Sequence, residues 1–186
     1  LFINKNKFKN ELIYRLVSSS RIVMYQQKYW NQLKELKVHV YYVQGYAVKQ
    51  NKYDQIINIF LAITSSSSIA AWALWKEYQF VWACIIAASQ VITAVKPLLP
   101  FKKRLSSLNK LGDMLSLIAL KAERDWYFVA EGKWSVEEIH TKWADLKDDA
   151  LAAEYKCLNG ITLPKDKSVL TSAEVEADIY LKTTYH

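Results

Sequence analysis

Two charge-free stretches, Gln55 to Trp75 and Tyr78 to Val95, stand almost end to end, parted only by Lys76-Glu77. As helices rising about 1.5 Å per residue they span roughly 31 Å and roughly 27 Å, close to the ~30 Å of bilayer hydrocarbon. A helix satisfies its own backbone hydrogen bonds, which lipid cannot do for it. The pair therefore reads as a transmembrane hairpin within 55–101, with spans at 55–75 and 78–96 and a very short turn between them. Residues 1–54 precede it as basic cytosolic helices, and 102–186 follow it as a second set of cytosolic helices.

Aromatic placement points the same way. Trp72, Trp75, Tyr78 and Trp82 gather around the turn, while Tyr41, Tyr42, Tyr46, Tyr53 and Phe101 lie toward the opposite boundary, where amphipathic rings favour the headgroup region. Lys37, Lys49, Lys52, Lys96, Lys102, Lys103, Arg104 and Lys110 stand on the terminal side, against Lys76 alone in the turn. Both termini are expected in the cytoplasm. The competing reading is a buried helical hairpin inside a soluble bundle. That would need a ring of further amphipathic helices, and a chain of 186 residues is short for one.

Only four Gly and three Pro interrupt the chain, too few for a fold with many tight turns, so an all-α protein is expected. Phe8, Leu12 and Leu16 outline a short helix over about 4–17, and Ser18-Ser19-Ser20 reads as a break and a cap. From Arg21 to about Gly45, the residues Ile22, Tyr25, Tyr29, Leu33, Leu36, Val40 and Val43 share one helical face. Leu108, Leu111, Leu115, Ile118 and Ala122 define a seam on a long helix from Phe101 to about Glu131, with Gly132 ending it. Ser135-Val136-Glu137-Glu138 is a capping box opening a helix that runs to Asn159-Gly160. A connection over Ile161 to Leu170 and a last short helix from Thr171-Ser172-Ala173-Glu174 complete the reading.

Catalytic and metal signatures are absent from the pattern. Gly45, Gly112, Gly132 and Gly160 are too dispersed for a phosphate loop, and His39, His140 and His186 too scattered for a metal site. Glu137 and His140 have the spacing used in di-iron bundles, but the further carboxylates such a centre needs are missing. Cys84 and Cys157 do not make a disulfide framework, and no cleavable signal sequence is read at the N-terminus. The expectation is a protein that is not an enzyme and takes no cofactor.

Two features carry the functional reading. Along the first span, Asn58, Ala62, Ser65, Ile69 and Trp72 fall on one face at 100° per residue, with Gln90, Ser89, Thr93 and Lys96 giving the second a weaker stripe. Two helices cannot enclose water, so pore lining by this stripe requires a homo-oligomer, a tetramer or larger. Close helix packing explains the same small polar residues equally well. The N-terminal third carries a charge balance of +7, the same as the whole chain. Its Lys5, Lys7, Lys9, Arg15 and Arg21 suit anionic lipid, or an anionic ligand such as a nucleotide or oligonucleotide. Tyr14, Tyr25, Tyr29 and Trp30 could stack bases or pack as core.

The layout resembles the SLATT domain over roughly residues 20–160: a Tyr-rich basic helix (Tyr41-Tyr42, Tyr46, Lys49, Lys52, Tyr53), a tight hairpin turning at Trp75-Lys76, an exit at Lys96-Pro97 before Lys102-Lys103-Arg104, and a trailing cytosolic helix pair. The resemblance implies a pore-forming effector of a bacterial antiphage system in the inner membrane. It also implies a cyclic nucleotide or oligonucleotide signal made by an associated nucleotidyltransferase, with depolarisation and abortive infection as the outcome. A non-conducting anchor or scaffold that recruits a cytosolic partner through the Leu108 to Ala122 seam is the rival, and a holin-like lytic protein a weaker third reading.

Overall fold

A computed structural model describes residues 2–74, 79–98, 101–159 and 162–185; the side chains of 2–18, 66–74, 79 and 101–102 lie outside that description. Every element among the described residues is helical: α1 (Phe2–Leu74), α2 (Gln79–Val95) with a 3-10 turn at Lys96–Leu98, α3 (Phe101–Ala130), α4 (Val136–Leu158) and α5 (Lys167–Tyr185). The expected all-α class is what the chain adopts.

The core forms where the apolar seams meet. Tyr29, Leu33, Leu36, Val40 and Val43 of α1 are buried against Leu108, Leu111, Leu115, Ala119 and Ala122 of α3. The two helices run antiparallel, since the Tyr29 hydroxyl reaches the Ala122 carbonyl while Gln44 meets Ser116 further along. On this pair pack α4, through Ile139, Leu146 and Ala153, and α5, through Ala173, Ala177 and Leu181. The product is a four-helix bundle of α3, α4, α5 and the 25–47 stretch of α1, in which each helix buries one stripe and leaves the other in solvent.

Two boundaries depart from expectation. Ser18-Ser19-Ser20 does not break the chain, because α1 runs through it and through Gly45 without interruption for 73 residues. Serine costs only about 0.5 kcal/mol per site inside a helix and becomes a cap only where the next turn is already unpaired. The last helix, in turn, begins at Lys167 rather than near Thr171. Asp166 caps it, its Oδ1 accepting from the N–H groups of Ser168 at 3.1 Å and Val169 at 3.3 Å, and Lys49 of α1 holds the other carboxylate oxygen. The Asp166 backbone N–H donates to the Tyr42 hydroxyl, which itself donates to the Pro164 carbonyl, so the 162–166 connection is pinned to α1.

Other expected boundaries hold. Gly132, at φ +63°, stands just past the end of α3, and Ser135 with Glu138 forms the capping box of α4, which closes on a left-handed Asn159.

Candidate functional site

Beyond about residue 50, α1 leaves the bundle, and α2 packs along this outlying part to form an arm. At 100° per residue the described stretch of α1 in the arm has three faces. Asp54, Ile57, Leu61 and Thr64 are half-buried, at the spacing of a seam toward α2. Ile56, Ile59 and Ile63 form an exposed apolar stripe. Asn58, Ala62 and Ser65 form an exposed stripe of small and polar residues between the other two.

On α2, Trp82, Ile85, Ile86, Ser89 and Ile92 are drawn inward, Ser89 the most buried of them, while Phe80, Val81, Val91, Val95 and Leu98 point out. Among the described residues Phe80–Leu98 is long and apolar enough to cross a membrane, and almost none of it is buried by the rest of the protein. Four of the described hydroxyls in the arm are satisfied locally. Thr64 donates to the Phe60 and Leu61 carbonyls, Ser65 to Ala62, Ser89 to Ile86 and Thr93 to Ser89. Such bonds within a helix let hydroxyls sit in hydrocarbon without an orphaned donor.

A polar knot closes the arm where it meets the bundle. The Lys96 ammonium donates to the Asn58 side-chain oxygen and lies 3.8 Å from Asp54, while the Asn58 amide donates to Asp54 at 2.9 Å. Lys96 thus turns back onto α1 and ties the end of α2 to the start of the arm. Asn58 therefore has two partners within its own chain. Ser65 and Ala62 lie further along the same face. The side chains of Ile69 and Trp72, which complete the expected pore-lining set, lie outside the described residues, as does the whole turn at Trp75-Lys76.

Of the expected anion-binding cations, Arg21 is exposed on α1, and the side chains of Lys5, Lys7, Lys9 and Arg15 are outside the description. The aromatics considered for base stacking are occupied with packing. Tyr29 is fully buried, Tyr25 meets the edge of His140 with centroids 5.7 Å apart, and Trp30 lies 4.9 Å from Trp126 and 5.6 Å from Tyr185. Burial first, and then the negative charge of Asp125, raises the Tyr29 hydroxyl well above the ordinary tyrosine range. The Tyr14 side chain is outside the description.

Charged groups do meet inside the bundle, where no periodicity announced them. Lys37 of α1 pairs with Glu123 of α3, and the two are only 13% and 12% exposed. Tyr180 of α5 donates to the other Glu123 oxygen at 2.9 Å and offers its ring to the Lys37 ammonium at 3.9 Å. Burial, helped by Glu123 and Tyr180, pushes the neighbouring Tyr185 hydroxyl up to about 12. On the α4 side, His39 lies 3.5 Å from Glu154; burial lowers its pKa, and the carboxylate only partly offsets this. A groove of about 1310 Å³ runs between α1 and α5, floored by Glu35, Val38 and Tyr42 and walled by Val175, Asp178 and Ile179.

No protein-family model, curated protein or solved structure matches the chain. Among the described residues no cluster of three or more His, Cys, Asp or Glu side chains is placed to hold a metal ion. Both cysteines are free, Cys84 exposed on the arm and Cys157 against Met114 in the bundle.

Proposed function

We propose that the chain is a membrane effector of the SLATT kind: a homo-oligomeric ion channel of the bacterial inner membrane, acting in antiphage defence. The arm crosses the bilayer as a hairpin with both termini in the cytoplasm. A nucleotide or oligonucleotide signal at the cytosolic helices gates it, and opening depolarises the infected cell. One observation carries the reading. The arm presents large apolar side chains outward, most of them more than half exposed, and keeps a separate stripe of small and polar residues beside its inter-helix seam. Apolar area of this extent is unfavourable in water at about 25 cal/mol per Å² and neutral in lipid, whereas a polar stripe in lipid is accommodated by facing another copy or a water path.

The test is current across planar bilayers from the purified full chain. Conductance is expected, and Ser65→Leu should reduce it or change its ion preference. Silence with and without cyclic dinucleotides and short oligonucleotides would refute the channel. Asn58→Leu is the harsher variant because it also removes the partner of Lys96.

A second reading is a non-conducting anchor that recruits a cytosolic protein; the Leu108 to Ala122 seam expected to do so is buried against α1 and closed to a partner, so this reading draws instead on the exposed Leu151 and Tyr155 of α4. It predicts a stoichiometric partner on pull-down and a membrane span indifferent to Ser65→Leu.

A further inference from the structure

Two of the exposed apolar features of the bundle lie on opposed sides. The outer face of α3, turned away from α1, presents Leu117 and Leu120, which are 67% and 56% exposed. The groove between α1 and α5 lies on the side of α1 turned away from α3, since Glu35, Val38 and Tyr42 fall opposite the buried positions 33, 36 and 40 on the helix. Its apolar lining includes Val175 and Ile179, 53% and 59% exposed.

These two features stand level with each other. Ser116 and Ala122 of α3 meet α1 at Gln44 and Tyr29, which brackets Leu117 and Leu120 beside the 29–44 stretch. On α5, Asp178 meets α1 at Lys34, and Tyr185 meets it at Trp30. A methyl added to Gly45 would touch Val169. Val175 and Ile179 therefore lie beside the same stretch. Because α1 continues unbroken from this stretch into the arm, being level along α1 means lying at the same depth below the membrane.

Depth is the decisive quantity for a membrane oligomer. Copies related by rotation about the membrane normal keep every residue at its own depth, so a ring can join two different surfaces only if those surfaces are level. Charge runs in register as well. Along α3, Asp113 lies nearer the membrane than the leucines and Arg124 further away; along the groove, Lys165 and Lys167 lie at the membrane end while Glu35 lies toward the far end, where Asp178 is already paired with Lys34 and Lys182. Docked level, acid faces base at both ends of an apolar centre, the arrangement expected of a specific interface.

We infer that the outer face of α3 of one copy seats in the α1–α5 groove of the next, joining copies head to tail in a ring around the membrane normal. This rests on the membrane-oligomer reading above and names the surface that builds it. It also explains why packing α3 against its own counterpart is disfavoured. Parallel α3 helices would place Asp113 against Asp113 and Arg124 against Arg124.

The experiment uses the full chain in lipid nanodiscs, in a Cys84→Ser, Cys157→Ala background. Copies carrying Leu120→Cys are co-expressed with copies carrying Ile179→Cys and treated with a short bismaleimide. A cross-linked dimer should form from the mixture and not from either copy alone. The chain carrying both substitutions should give a ladder of multimers. Leu117→Glu with Leu120→Glu should reduce the native mass to the monomer at unchanged far-UV dichroism, since neither leucine belongs to the bundle core. A cross-link from Leu120→Cys copies alone, or a glutamate variant that keeps the parent stoichiometry, overturns the interface and leaves the channel standing. A parent chain that is itself monomeric in nanodiscs overturns both.

Discussion

Ser135 and Asp166 do the same work at two helix starts, yet only the first was readable beforehand. Ser135 is followed at the third position by Glu138, and the reciprocal bonds form, the Ser135 N–H and hydroxyl both donating to the carboxylate. These bonds hold the Glu138 carboxyl below the usual range. Ser135→Ala should cost about 1 kcal/mol, read as a lowered thermal midpoint. Asp166 has no such sequence signature. Its cap is completed by Lys49, over a hundred positions earlier, and Thr171-Ser172 offered a closer match to the familiar pattern. His39 is a similar case, its environment set by α4. Its folded pKa lies below the unfolded value of about 6.5, so the neutral ring is favoured by folding; that contribution is full above the unfolded value and declines as pH falls through it. Thermal stability should therefore fall as the pH drops below about 6.5, and His39→Gln should flatten the fall.

Helices were legible wherever one apolar face met one partner. The α1 positions Tyr29, Leu33, Leu36, Val40 and Val43 and the α3 positions Leu108, Leu111 and Leu115 were all visible at 3-4 spacing and are all buried. Leu115 is fully buried at the centre of this contact, and Leu115→Ala should destabilise the bundle by roughly 2–5 kcal/mol, measurable by chemical denaturation. Helix ends were less legible, because a run of serines has nearly the same local preference whether the chain stops there or goes on. At Ser18-Ser19-Ser20 it goes on. Gly45 is passed as well, and the space left by its missing side chain brings Val169 of α5 close, with 3.2 Å to where a methyl would sit.

Across the whole molecule, segregation of charge and apolarity divides the protein into an arm and a bundle, and the sequence displays that division openly. What it does not display is which helices pair and how they are arranged, the α1–α3 contact included. The Lys37–Glu123–Tyr180 cluster joins three helices through residues spaced far apart in the chain, and the α1–α5 groove depends on where α5 docks. Neither has a local period to betray it. The polar stripe of the arm was visible as a pattern, but the tie between Asn58 and Lys96 needs the two legs of the arm side by side.

The unbroken course of α1 carries a mechanical corollary. With 73 residues in one helix, roughly 110 Å of rod passes from the N-terminal cations through the bundle into the arm with no joint at which motion could be absorbed. A tilt imposed at the foot is then delivered at the tip as an opposite sideways swing of about the same size, with the bundle as fulcrum. Inserting a flexible tri-glycine between Gln50 and Asn51 should uncouple the two ends while leaving each of them folded.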